Sequence, residues 1–249
     1  MKFKARFSNI IEWKSVMLAV DGICHHAIIR HNKNGMALSA VDPSQISLIE
    51  VTFPKTSFQE LSGDFSSMCI KIDELKNVFD TVSDDSSLEL ELSNSKNLKI
   101  SVLDPFEMVF TLKLLKIESH ESIIPKLNHK SNISLNPETM IKIISNFESI
   151  TQYITINCKK DKIQFCGKGE SANLKINLQK GISGIHEVTS KGNSSSEYIL
   201  EHMAQVIRNI GKNSKLLKMA YGTKSPIQIF FEFPSETTVE YFLAPTVSN

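Results

Sequence analysis

At 249 residues and 28.0 kDa the chain can bury a sizeable core, as one large domain or as two of about 120 residues each. Its 28 basic and 27 acidic residues leave a net charge of +1, so composition gives no sign of a nucleic-acid partner, and any cationic surface must come from charges sorted onto one face. The apolar runs are far too short to span a bilayer and the opening MKFKARFSNII has no long apolar core, so neither a membrane span nor a signal peptide is expected.

Taken in chain order, the first helical stretch covers about 8–23, with Ile10, Trp13, Met17 and Val20 at helical spacing. Period-two segments follow at 26–30, 36–41 and 46–53, joined by turn chemistry at Asn32–Gly35 and Asp42–Ser44. The two rings of His25-His26 point to opposite faces of a strand and cannot easily share one metal. A second helix spans about 73–82, striped by Leu75, Val78, Phe79 and Val82, and strands are expected at 88–92, 98–103 and 107–117. Asp84-Asp85 between them sits in a Ser-rich turn, a solvated connection rather than an acid–base pair.

The stretch 117–130, polar and proline-containing, reads as a connector. A third helix begins at Asn136-Pro137, an N-cap followed by proline at the first helical position, with strands at 153–158, 163–167 and 171–180 after it. A fourth covers about 199–210 and stops at Gly211, read as a C-terminal signal, with strands at 216–221, 227–233 and 239–243 to follow. Cys24, Cys69, Cys158 and Cys166 lie far apart without metal-ligand spacing and are expected as free thiols. There is no GxxxxGK[ST] loop, and no cofactor, metal or catalytic residue is expected.

The order is a strand, a helix and three strands, written four times. One helix can cover one face of one antiparallel sheet, so two repeats must combine to bury both apolar faces. The fold class expected is therefore α+β, with two similar domains at 1–116 and 131–249 and a connector at 117–130. Two strands alternate most cleanly. Met108, Phe110, Leu112 and Leu114 share one face of the first, and Ala172, Leu174, Ile176 and Leu178 one face of the second. If both are sheet edges they call for another chain, and a head-to-tail contact between one edge of each half closes into a ring.

Three places carry a family likeness. Gly35-Met-Ala-Leu-Ser-Ala-Val-Asp42-Pro-Ser-Gln-Ile-Ser-Leu48, the apolar-proline step Ile123-Ile124-Pro125, and the tail Tyr241-Phe-Leu-Ala-Pro245 resemble those of the sliding clamps of the proliferating cell nuclear antigen family, of archaeal and eukaryotic type. That resemblance implies a three-subunit ring, of identical or paralogous chains, with sheets outside and helices lining the hole. It implies binding to double-stranded DNA without sequence preference, an ATP-using clamp loader, and DNA polymerase and other clients held through short peptide motifs. The compartment would be the cytoplasm, with the nucleoid, in an archaeon or the nucleus in a eukaryote.

Carried onto this sequence, the helix faces offer Lys14, Lys76, Lys142, Arg208 and Lys212 to phosphate, thinned by nearby Glu12, Asp21 and Asp80. Spread around a ring, such a sparse lining would bind weakly and without reading bases, as sliding requires. The pocket for partner peptides would use Val41, Gln45, Ile46, Leu48, Ile124, Pro125, Pro226, Phe242, Leu243, Ala244 and Pro245, where the apolar tail has few residues left to cover it. The other class of function compatible with this reading is a ring-forming scaffold that does not thread DNA.

Overall fold

The structure, a computed structural model, describes residues 3–92, 96–104, 106–116, 127, 129–159 and 162–246. The chain divides into two compact units. The first comprises Met1–Pro43, Ile49–Ser122 and Phe233–Val239, the second Ser44–Leu48, Ile123–Glu232 and Glu240–Asn249. A single cut in sequence therefore does not produce the units.

The first unit runs β1 (Phe3–Phe7), α1 (Ile10–Asp21), β2 (His26–Asn32), β3 (Gly35–Val41), β4 (Ser47–Pro54), β5 (Phe58–Ser62), β6 (Ser67–Lys71), α2 (Ile72–Asp80), β7 (Leu88–Leu92), β8 (Asn97–Val102) and β9 (Met108–Lys113). Its strands order as β5-β1-β7-β8-β9 and β4-β3-β2-β6. The second unit runs β10 (Ser131–Leu135), α3 (Pro137–Glu148), β11 (Tyr153–Lys159), β12 (Lys162–Lys168), β13 (Asn173–Gln179), β14 (Ile185–Ser190), β15 (Ser194–Ile199), α4 (Leu200–Gly211), β16 (Leu216–Tyr221), β17 (Ile227–Glu232) and β18 (Thr238–Leu243). Its orders are β14-β10-β16-β17-β18 and β13-β12-β11-β15. Adding nine to each strand label of the first unit gives the second, so the two share one topology.

The expected pattern of a strand, a helix and three strands recurs four times, with β5 and β14 as an extra edge strand in each unit. Neither shows the clean alternation of the interior strands. In β5 only Phe58 is buried, and in β14 only Ile185 and Val188.

The helices form where the sequence supplies starts. The Asn9 side chain accepts from Ile11 N at 2.9 Å, and Asn136 accepts from Glu138 N at 2.9 Å ahead of Pro137. Within the first unit α1 packs on α2, and within the second α3 packs on α4. The first core centres on Trp13, stacked on Phe53 at 4.2 Å between ring centroids and in contact with Phe7. Gly35 has φ +140°, and a side chain there would strike the Phe53 carbonyl, which fixes the glycine of the β2–β3 hairpin.

Gly211 departs from its expected role. It is the last residue of α4 and is buried, and a Cβ at this position would lie 3.2 Å from Ile141 Cδ1. The glycine lets α4 approach α3 closely instead of supplying a left-handed cap. Cys24, Cys69 and Cys158 are buried free thiols and Cys166 is half-buried; burial pushes the Cys24 thiol up to about 12, so it stays protonated. No helix among the described residues is long and apolar enough to cross a membrane.

Candidate nucleic-acid and partner interfaces

The five cations expected to face DNA all lie on helices or just beyond a helix end, but their electrostatic settings differ. Lys14 Nζ donates to Asp84 Oδ1 at 2.7 Å and to the Val82 carbonyl. Lys76 pairs with Asp80 one turn on, at 2.7 Å, which raises its pKa through the hydrogen bond. Arg208 pairs with Glu148 across the α3–α4 contact. Lys142 and Lys212 are exposed and have no ion pair among the described residues. An ion pair presents almost no net charge to a phosphate and releases few counterions, so the two units are unequal. On α2, exposed Asp73 and Asp80 and half-buried Glu74 surround the one lysine.

Glu12 does not belong with the acids that thin this face. It is buried, and its carboxylate accepts from the Ser235 hydroxyl and from Ser235 N at 3.3 Å. Asp84 is not a merely solvated turn residue either, because it holds Lys14. That partnership spans seventy residues of sequence, and no local spacing signals it.

The expected partner-peptide residues fall into three groups. Ile46, Leu48, Phe242, Leu243, Ala244 and Pro245 come together in the second unit, where Ala244 N donates to the Ile46 carbonyl at 2.8 Å and ties the tail to the 44–48 segment. Gln45, at the tip of that segment, is exposed in the left-handed region with φ +58°. Pro226, in the same unit, accepts at its carbonyl from His129 Nε2 at 3.0 Å, which places the imidazole proton on Nε2. Val41 is exposed at the end of β3 in the first unit. Ile124 and Pro125 lie outside the described residues.

One expectation is corrected here. The tail is not left uncovered: Leu243 and Phe242 are buried, and Ala244 and Pro245 remain half-exposed. A surface depression of about 310 Å³ on the second unit, bounded by Ser134, Lys218, Ala220, Gln228, Phe230 and Glu240, contains none of the expected partner residues.

The two cleanly alternating strands are sheet edges. β9 ends the order β5-β1-β7-β8-β9 and β13 begins the order β13-β12-β11-β15. No residue of β9 is buried; Met108, Phe110 and Leu112 stay half-exposed, as does Leu114 just beyond the strand. On β13, Leu174 and Ile176 are half-exposed, whereas Leu178 is covered by its own chain.

With this geometry in place, comparison with known proteins is informative. Residues 2–122 match the family model described as "Proliferating cell nuclear antigen, N-terminal domain". A relative from Nitrosopumilus maritimus, named "DNA polymerase sliding clamp", is 25% identical over the whole of both chains. The crystal structure of the clamp from Thermococcus kodakaraensis superposes with a TM-score of 0.90 at 17% identity, covering 98% of this chain and 100% of that one. A structure described as the C-terminal region of FEN-1 bound to A. fulgidus PCNA gives 0.89 at 20% identity, covering 99% of each.

The architecture is that of the DNA clamp fold. Over residues 2–122 the chain is similar to the proliferating cell nuclear antigen family, and over its whole length to archaeal sliding clamps.

Proposed function

We propose that this chain is a subunit of a DNA sliding clamp, a processivity factor that encircles duplex DNA and tethers DNA polymerase and other replication and repair enzymes. The observation that carries the reading is the duplicated topology with one open, half-exposed apolar edge in each unit, β9 and β13. Unpaired edges of this kind associate unless they are covered, and a contact that joins one end of a chain to the other end of the next closes into a ring. Similarity to that family supports three chains per ring, identical or paralogous, loaded by a separate ATP-using machine. The domains proposed are 1–116 and 131–249, joined by a connector at 117–130.

The chain acts as a tether and catalyses no reaction. Helices α1 to α4 face the duplex, and the segment 44–48 with the tail Phe242–Pro245, together with Val41, Ile124, Pro125 and Pro226, receives the short motifs of clients. Within that lining the second unit carries more of the phosphate contact, through Lys142 and Lys212, because Lys14 and Lys76 have carboxylates at their tips. The location follows the DNA, in the nucleoid of an archaeon or the nucleus of a eukaryote.

A ring-forming scaffold that does not thread DNA is the second reading, and the acidic surroundings of Lys76 on α2 favour it. Light scattering behind a sizing column, over a dilution series, tests the ring. A mass near three times 28.0 kDa, alone or with paralogous clamp chains, is expected. A monomer that no such chain recruits would overturn both readings.

A further inference from the structure

The β13-β12-β11-β15 sheet of the second unit has one apolar and one polar face. Ile154, Ile156, Ile163 and Phe165 are buried on the first, where Gly167 lies close under Phe147 of α3. The opposite face is therefore turned away from α3. The register arranges it in rows: Ile199–Tyr153 and Lys168–Asn173 at one end, then Glu197–Thr155–Cys166–Lys175, then Ser195–Asn157–Gln164–Asn177, then Lys159–Lys162–Gln179.

The amides of this face are held in place by one another. Gln164 Nε2 donates to Asn177 Oδ1 at 2.8 Å, and Ser195 Oγ donates to Asn157 Oδ1 at 2.7 Å. Around them Lys159, Lys162, Lys168 and Lys175 are exposed and have no acidic partner among the described residues. Among the described residues the carboxylates nearby are Glu197, whose oxygens accept from Thr155 and Thr246, and Glu170 in the β12–β13 turn; Asp161 lies outside them.

A comparison within the same chain shows how unusual this is. On the exposed face of β5-β1-β7-β8-β9, Lys4 and Arg6 share Glu89 at 3.0 and 2.8 Å, and Lys99 pairs with Glu91 at 3.4 Å. That sheet pairs Lys4, Arg6 and Lys99 across strands and leaves Lys113 on the edge strand without an ion pair among the described residues, whereas the other sheet face pairs none of its four lysines. Lys159 and Lys162 are even Cα partners, like charges placed directly opposite each other, an arrangement that costs a sheet stability.

We propose that this lysine-and-amide face is a second docking surface, for an acidic, extended peptide segment of a client protein. Lys162 and Lys168 lie six residues apart on β12, roughly 20 Å, the reach of a short extended peptide. Carboxylates accept from both ammonium and amide N–H groups, so the face offers donors of both kinds. Nucleic acid fits less well. A duplex held on the helix side would have to double back within a few nanometres, against a persistence length of about 50 nm. A single strand would want stacking platforms, and Tyr153 is the one aromatic ring in these rows. The client as source rests on the clamp reading; the chemistry of the face does not.

The test is fluorescence anisotropy with full-length protein and a labelled peptide carrying glutamate at every second position, beside its glutamine counterpart and an oligothymidylate of equal charge. The expected result is binding of the glutamate peptide alone, weakened about tenfold in the double variant Lys162→Gln/Lys168→Gln and unchanged in Lys99→Gln. Both substitutions are on the exposed face of an interior strand, and an unchanged solution mass checks assembly. No binding by the wild-type protein, equal binding by the double variant, or tighter binding of the oligothymidylate would overturn the proposal. A protein that stays monomeric even with paralogous clamp chains present, yet still binds the glutamate peptide, would refute the clamp reading and leave this surface standing.

Discussion

Glu89 is the shared acceptor of Lys4 and Arg6 on the first unit's exposed sheet face. Burial alone would push its carboxyl up, but the hydrogen bonds from Arg6 and Lys4 outweigh that and hold it below the ordinary carboxylate range. A depressed folded-state value means stabilisation that is present above about pH 4.3 and lost as pH falls through the folded-state value. Thermal melts of Glu89→Gln should therefore run a few degrees below wild type at pH 7 and converge with it as pH falls through the depressed folded-state value. A gap that is constant with pH would contradict this. At Gly167 a Cβ would meet Thr151 Cγ2 at 2.6 Å and Phe147 Cδ1 at 2.7 Å, so Gly167→Ala should destabilise by about 1–3 kcal/mol in urea titrations. Leu243→Ala empties a fully buried site and should cost about 2–5 kcal/mol, so its effect on client binding cannot be separated from unfolding. Ala244 and Pro245, half-exposed beside it, are the better probes. The burial of Leu243 was not legible in the sequence, because one residue's exposure depends on chain segments far away.

Helix existence was legible from periodicity and, for the third helix, from the cap at Asn136, whereas the Asn9 cap came only with the structure; each helix lies within a few residues of its expected span. The alternation of β9 and β13 was legible, but their place at sheet edges was not, since period two marks an apolar face and does not say whether a strand has one neighbour or two. What local pattern could not supply was the pairing of charges. Lys14–Asp84 and Arg208–Glu148 form only once separate elements have packed. The strands β5 and β14 escaped for a related reason: each is a short edge strand paired on one side, with few buried positions to mark it. The inequality of the helices makes a prediction at this scale. Each cation that displaces a phosphate counterion adds about 0.9 to the slope of log affinity against log salt. Lys142→Ala and Lys212→Ala should flatten the salt dependence of DNA retention, and Lys14→Ala should change it much less. Asp84→Asn, by freeing Lys14, should steepen it. Equal effects from all three lysines would mean that the ion pair opens when DNA arrives.

At the scale of the molecule, one topology written twice supplies two helix pairs and two open edges from a single chain. Charge is distributed unevenly over that duplicated frame. The first unit pairs Lys4, Arg6, Lys14, Lys76 and Lys99 with carboxylates, while the second leaves Lys142 and Lys212 beside its helices, and four lysines on a sheet face, without acidic partners among the described residues. A near-neutral net charge therefore hides an asymmetry in charge pairing that composition alone could not reveal. The central claim, that rings of this chain are threaded by DNA, is tested most directly by topology. The protein is placed on nicked circular duplex by its clamp loader and ATP, passed through a sizing column in moderate salt, and the DNA is then cut once. The account predicts that the protein travels with the circle and is released on linearisation. Protein that never stays with the circle, or that stays equally after the cut, would contradict it.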